Sequence, residues 1–578
     1  VAEPTRRPLR IWPGVVIVAL QWLVRFGVPA IDPELLPLAL LSEMVGALGV
    51  LVWWAFFSRI PHPERWGGIA LIVLAMLVTP RLVHESVATG MMGALFVVYA
   101  IPTLCLALVL WALLARNLAV GSRRAALALA IVAGVGVWAL FKTGGFTSDL
   151  DQDWSWRWAR TAEDRLVART AEQAPDSHGA PVALPDSEPE WPGFRGPARN
   201  DVVHGVRIRT DWSTSPPVEL WRRAVGPGWS SFAVHGRLIY TQEQRGDDEL
   251  VACYERDSGD PVWEHRDPVR FWEANGGAGP RGTPALRAGK VYTLGGTGVV
   301  NALDAADGAV IWSRDAAKDT GAELPVWGFS GSPLAVGGQV VVAASGSLVS
   351  YDAATGEPRW TGPAGGEGYS SPHLLRRGGV PQILQLSGDG LTAVAPADGS
   401  VLWEHEWSGY PIVQPATTAD GDVLIGVTAE SGLRRLSLAE GPAGWTVDER
   451  WTSQGLKPYS SDFVVHEGHA YGFDGTILSC IDLADGERRW KGGRYGLGQL
   501  LLLADQDLLL VISEKGGLTL VAADPGRFHE LARFPAIEGK TWNHPVLVGD
   551  TLLVRNGKEM AAFRLALLNP TGGPDRAP

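Results

Sequence analysis

A glycine followed four residues later by a tryptophan recurs through the C-terminal two-thirds of the chain, each time after a short apolar stretch and a polar turn. The copies read CYERDSGDPVW (Cys253–Trp263), ALDAADGAVIW (Ala302–Trp312), SYDAATGEPRW (Ser350–Trp360), AVAPADGSVLW (Ala393–Trp403), LSLAEGPAGW (Leu436–Trp445) and CIDLADGERRW (Cys480–Trp490). VAADPGRFHE (Val521–Glu530) keeps the turn without the indole, and VELW, ending at Trp221, has the indole without the strands before it. Successive copies are 40 to 49 residues apart. That period suits one four-stranded propeller blade per copy. The glycine allows a left-handed turn between the third and fourth strands. A tryptophan fixed on the fourth strand can pack between neighbouring sheets.

A second signature marks where each inner strand begins: SSF (Ser230), GTP (Gly282), GSP (Gly331), SSP (Ser370), VQP (Val413), SSD (Ser460), GQL (Gly498) and NHP (Asn543). The count is eight blades. The last, Trp542–Leu565, supplies three strands and no fourth, so VELW is expected to complete it and remove an open sheet edge. The predicted fold is an all-β eight-bladed propeller over residues 191–565, closed by its N-terminal strand, with a disordered tail over 566–578.

The first 145 residues are different. Five apolar runs, Ile11–Ile31, Pro37–Phe57, Trp66–Val83, Gly93–Ala115 and Ala125–Phe141, approach the length of a membrane-crossing helix. The third is the shortest and is closed by Pro80 and Arg81. Arg6, Arg7, Arg10, Arg59, Arg65, Arg116, Arg123 and Arg124 fall on one side of such a bundle. Arg81, with Lys142, falls on the other, alongside Asp32, Glu34, Glu85, Asp149 and Asp151. The positive-inside rule puts the N-terminus in the cytoplasm, and five spans put the propeller outside. Arg25, Glu43, His84 and Glu85 are ionisable groups in or near the runs; Arg25 and Glu43 are placed to pair or to snorkel. Residues 146–190 form a junction: Asp153–Gln173, with Trp154, Trp156 and Trp158 at its start, is expected as an interfacial helix, and Ala174–Glu190 as a linker.

Fifty Lys+Arg against 62 Asp+Glu give a net charge of -12, which argues against a nucleic-acid partner. Three cysteines cannot build a disulfide framework, and the 12 histidines show no metal-ligand spacing. YTQEQRGDDE on the first blade is expected as a polar hairpin with a solvated loop and a Glu243–Arg245 pair.

The A-x-D-x-x-T/D-G-x-x-x-W string resembles the tryptophan-docking repeat of pyrroloquinoline quinone (PQQ) propellers. That superfamily includes quinoprotein alcohol and glucose dehydrogenases and the non-catalytic assembly lipoprotein of the Bam complex. WPGFRGP (Trp191–Pro197), YTQEQRG (Tyr240–Gly246), GPRGTP (Gly279–Pro284) and WGFSGSP (Trp327–Pro333) are similar to the branch described as PQQ-binding-like. Five spans before a propeller also resemble the layout of membrane-bound glucose dehydrogenase. The resemblance leaves two functions open. One is a membrane-anchored scaffold on the periplasmic side of the bacterial inner membrane, held by lipid around its helices and binding envelope proteins on a propeller face. The other is a dehydrogenase of sugars or alcohols that uses PQQ with calcium and passes electrons to membrane quinone. The loops leading into the inner strands would hold such a ligand. They offer Arg281, Lys457, Trp229, Trp327, Tyr369, Gln499, Trp542 and Asn543, a mixture of aromatics and cations able to sandwich a flat polycarboxylate. The adjacent cysteines of several alcohol dehydrogenases are missing, blades of about 45 residues leave no room for a large lid, and no catalytic residue can be assigned.

Overall fold

The computed structural model describes residues 9–32, 35–172, 182–428, 430–442 and 444–568. Arg6, Arg7, Glu34, the first part of the expected linker and the tail from Asn569 lie outside them. The chain divides into two compact units. One runs to Ala159 and includes Glu273–Gly277; the other holds Arg160–Trp272 and everything from Ala278.

The first unit is helical. Four helices, Trp12–Ile31, Leu38–Phe57, Leu95–Leu114 and Val120–Leu140, are long and apolar enough to cross a membrane. The expected third span is a 17-residue helix, His62–Val78, that tightens into a 3₁₀ turn at Thr79–Arg81. Pro80 explains the early end, because it offers no backbone N–H to continue the helix. Leu23, Leu48, Leu77 and Leu129 point outward and are more than half exposed, as a lipid-facing surface requires. Trp53, Trp54 and Trp111 fill the interior, and each indole donates to a backbone carbonyl, of Arg10, Arg65 and Arg123 respectively. Gly14 lets the first helix approach Trp53, whose ring would lie 2.8 Å from an added Cβ. Arg25 and Glu43 form the expected ion pair, at 2.5 Å, and Glu64 meets Arg123 at 2.8 Å.

The junction departs from expectation. Trp154 and Trp156 lie on a strand, Gln152–Trp156, paired with Phe141–Phe146, and the helix begins only at Ala162. Alternating aromatics favour the extended chain here: Trp156 stacks on Phe141 with centroids 4.7 Å apart, and Trp154 packs on Trp138 at 5.2 Å.

The second unit is the propeller, with eight blades among the described residues. The first blade is Ala233–His235, Leu238–Arg245, Asp248–Glu255 and Pro261–Asp267. The inner strands of the next six begin at Ala285, Leu334, His373, Ala416, Val464 and Gln499. The eighth blade is Val546–Val548, Thr551–Arg555 and Glu559–Arg564, completed by Val218–Ala224 with Trp221 opposite Ala562. The N-terminal strand therefore closes the wheel. A fifth strand, Val202–Val203, adds in parallel to the inner edge of the seventh blade.

Five of the repeated indoles bind neighbouring blades in one way, while Trp403 donates to Gln382 Oε1 of its own blade. Trp221, Trp263, Trp312, Trp360 and Trp490 donate their Nε1–H to the carbonyls of Arg256, Ala305, Ala353, Pro396 and Asp524, each on the next blade, at 2.7–3.3 Å. The repeat glycine of that next blade lies flat on the ring. A Cβ at Gly259, Gly308, Gly356 or Gly399 would come within 2.5–2.7 Å of it. The fifth blade corrects the sequence reading. Its docking indole is Trp451, bonded to Leu483 at 3.0 Å and covered by Gly486, rather than Trp445. A longer outer hairpin, turning at Gly441–Gly444, shifts the glycine-to-tryptophan spacing there. Gly308 tests this packing. Gly308→Ala is expected to destabilise more than Gly468→Ala, by the cost of displacing Trp263. Both glycines have φ near +76°, but an added Cβ at Gly468 meets nothing within 4 Å. The left-handed backbone alone costs about 1–2 kcal/mol at either site. Denaturant midpoints of the two variants should differ in that order.

Candidate functional site

The signature before each inner strand proves to be a girdle around the central channel. The backbone N–H of Ser231 donates to Thr283 Oγ1, Thr283 to Ser332 Oγ, and Ser332 to Ser371 Oγ. Ser371 donates to Gln414 Oε1, Gln414 to Asp462 Oδ1, and Asp462 to Gln499 Oε1. Gln499 Nε2 then reaches the Trp542 carbonyl, and Ser231 Oγ closes the circuit on the His544 carbonyl. The second to seventh blades thus supply a side-chain oxygen to a backbone N–H just ahead of the preceding blade's first strand, where no sheet can pair it. At the other two junctions a side-chain donor meets a backbone carbonyl. This is why small polar residues and glutamines recur at these positions.

Of the eight residues expected to hold a ligand, Gln499 belongs to the girdle itself and the others lie on the rim, in the loops leading into the inner strands; the structure gives most of them partners in the protein. The Trp229 and Trp542 rings lie with centroids 4.8 Å apart, tilted by 36°, and Lys540 Nζ sits 4.4 Å from the Trp542 ring. Trp542 Nε1 donates to Glu514 at 2.8 Å. Trp327 pairs with Tyr369 at 4.9 Å. Arg281 donates to the carbonyls of Ala278 and Gly279 and lies over Phe271. Gln499 and Asn543 bond backbone carbonyls of the girdle. Lys457 enters a parallel bridge with Asp474 through its backbone. Quinone carboxylates at Gln499 or Asn543 would have to displace these bonds, whereas Arg281 spends only Nη1 on its two carbonyls. His466, Glu467 and Asp507 are near enough to one another for a cation, but they lie at a strand end and hairpin turns of the sixth and seventh blades. His466 and Asp507 are already paired at 2.7 Å.

The first-blade hairpin carries the expected Glu243–Arg245 pair, at 2.6 Å, but Glu243 is fully buried rather than beside a solvated loop. It also accepts from Tyr254 Oη at 2.6 Å and from the Gly226 N–H. Burial alone would raise its pKa; Arg245 and Tyr254 reverse this, and the carboxyl lies below its usual range.

A feature the sequence reading missed crosses the channel itself. Residues 191–203 leave the first blade at Trp191, bridged to Val234, and end on the seventh at Val202–Val203. Arg199 donates to the carbonyls of Pro333 and Ser332 on the third blade, at 3.0 and 3.2 Å. Arg195 reaches the Phe463 carbonyl on the sixth at 2.8 Å. Arg195, Asp201, Asp462 and His544 form one buried cluster. Arg195 pairs with Asp201 through Nε and lies 3.5 Å from Asp462; His544 stands 3.3 Å from Asp201 and 3.5 Å from Asp462. Burial would raise the Asp201 carboxyl, but Arg195 and His544 hold it below the usual range. Arg195, Arg199 and Asp201 all have φ between 53° and 62°, a conformation held only where surroundings over-determine it. WPGFRGP offered a family likeness but no spacing rule that could pair Arg195 with residues more than 260 positions away.

Residues 217–324, 247–414 and 296–528 match the family described as outer membrane protein assembly factor BamB, and these overlapping spans cover more than half of the chain. The chain belongs to that family. The BamB of Yersinia pestis is 24% identical over 327 residues, covering 53% of this chain and 70% of the relative. That of Xanthomonas campestris is 29% identical over 352 residues, covering 51% and 84%. Among solved structures, the quinohemoprotein alcohol dehydrogenase of Comamonas testosteroni aligns with a TM-score of 0.48 and 13% identity, over 68% of this chain and 82% of that one. BamB from Moraxella catarrhalis aligns with a TM-score of 0.30 and 13% identity, over 59% and 83%. The span matched to the BamB family begins one residue before the closing strand and stops in the seventh blade. The N-terminal helices and the segment across the channel lie outside it.

Proposed function

We propose that this protein is a membrane-anchored, extracytoplasmic scaffold whose propeller binds other envelope proteins. Membership of a family described as an assembly factor carries the reading. The apolar helices support anchoring in the bacterial inner membrane. Counting His62–Val78 as a fifth crossing, at the short end of the spanning range, keeps the propeller on the periplasmic side. The domain limits 1–145, 146–190, 191–565 and 566–578 belong to the same proposal. The rim supports a docking role: Leu324, Val326 and Tyr410 are 54%, 66% and 61% exposed near the Trp327–Tyr369 pair, the composition of an interface anchor.

The PQQ dehydrogenase remains the alternative, with Arg281 and Lys457 as its first residues to test. In chemical cross-linking from intact envelopes, wild type is expected to capture a defined set of envelope proteins. Leu324→Asp with Val326→Asp should cut their recovery by about tenfold, the scale of losing an interface anchor, with unfolding unchanged. A quinone absorbance band on reconstitution with PQQ and calcium, with dye reduction by sugars, would replace the scaffold reading by the enzyme.

A further inference from the structure

Beneath the segment that crosses the channel lies a cavity of about 740 Å³, within the size range of small-molecule sites. Inner strands of the second to sixth blades form its walls, on the side away from the aromatic rim. Its charge is one-sided. Arg195, Arg199, Arg287 and Arg376 line it, and no aspartate or glutamate does among the described residues.

Arg195 is matched by Asp201 and Asp462. The other three are not: among the described residues no carboxylate pairs with Arg199, Arg287 or Arg376. Arg199 meets backbone carbonyls, and Arg287 reaches the Ala335 carbonyl at 3.4 Å. Burial, reinforced by Arg195, lowers Arg199 to about 10, so it stays charged at neutral pH at a cost. Beside it His373 is buried and pushed down to about 3, first by burial and then by Arg199 and Arg195, so its ring is neutral. Around these groups the wall is apolar, with Val336, Pro381 and Pro396. A half-buried guanidinium without a counter-charge is stabilised by any oxyanion that can reach it, and Arg holds carboxylates and phosphates through paired N–H donors.

We propose that this cavity binds a small organic anion bearing two or more carboxylate or phosphate groups, one against Arg199 inside and another on the exposed Arg287 or Arg376. The apolar wall takes its carbon skeleton. The site lies outside the rim offered to envelope partners, so the two readings stand or fall separately.

The test is calorimetric titration of the purified full-length protein in detergent at low salt with citrate, with pyrophosphate, and with uncharged erythritol. Citrate or pyrophosphate should bind saturably and erythritol should not. Citrate alone would assign carboxylate and pyrophosphate alone phosphate. Arg287→Ala with Arg376→Ala should weaken binding by about tenfold or more at an unchanged unfolding midpoint. No saturable binding of either anion by wild type up to about 10 mM, or equal binding by the double variant, overturns the proposal.

Discussion

Deletion of Val218–Ala224 should leave a protein that does not hold a closed wheel. The strand supplies the fourth member of the eighth blade and, through Trp221, the lock onto the first. Its removal strips six residue pairs from Glu559–Arg564, frees the Arg256 carbonyl and uncovers Phe563, which is 1% exposed in the intact fold. Losing a buried tryptophan alone costs about 3–5 kcal/mol, and each lost hydrogen bond adds about 1 kcal/mol. The sum is comparable with the whole stability of a typical domain, roughly 5–15 kcal/mol. Limited proteolysis should then cut first within residues 546–564, and gel filtration should show an expanded or aggregated species. Trp221→Ala, which keeps the strand, should fold with a lower denaturation midpoint. A deletion variant that elutes and unfolds like wild type would mean that the head of the chain does not close the wheel.

Arg195→Ala should be the costliest single change within the channel. It leaves Asp201 and Asp462 buried beside each other without the guanidinium that holds both. Breaking a buried ion pair from one side costs about 3–5 kcal/mol, and equilibrium denaturation should show it. The same cluster predicts an acid response. The Asp201 pKa in the folded protein is below its ordinary value of 3.8, so its contribution is fully present above that value and lost as pH falls through the folded one. Glu243 behaves likewise below its ordinary 4.5. Wild type should lose stability on acidification below about pH 4, and Arg195→Ala should lose less over that window. Equal pH slopes in the two proteins would remove the cluster from the account.

Much of the propeller could be read from one dimension because its repeat repeats a physical need. Each Gly–Trp pair answers a local requirement, a left-handed turn and a flat ring beneath it, and the same requirement returns once per blade. The same regularity misled at Trp445, since a hairpin lengthened by a few residues keeps the fold and moves the tryptophan, and only the pairing of Trp451 with Arg435 identifies the docking ring. Hydropathy found the helices but left the third in doubt, because Pro80 closes a run that composition alone would continue. Around the channel, Gln499 and Asn543 bond carbonyls of neighbouring blades, and carbonyls carry no sequence signal.

The sequence by itself determined the number of blades, the strand that closes them and the apolar character of the N-terminal helices, since each follows from patterns that recur or from lengths that can be counted. Only the tertiary structure decided that residues 191–203 cross the channel, that Arg195 and His544 share Asp201 and Asp462, and that, among the described residues, no acid lines the cavity where Arg199 stands. Those facts depend on which distant side chains a closed ring brings to its centre. Charges hundreds of residues apart become neighbours there because the wheel returns to where it began.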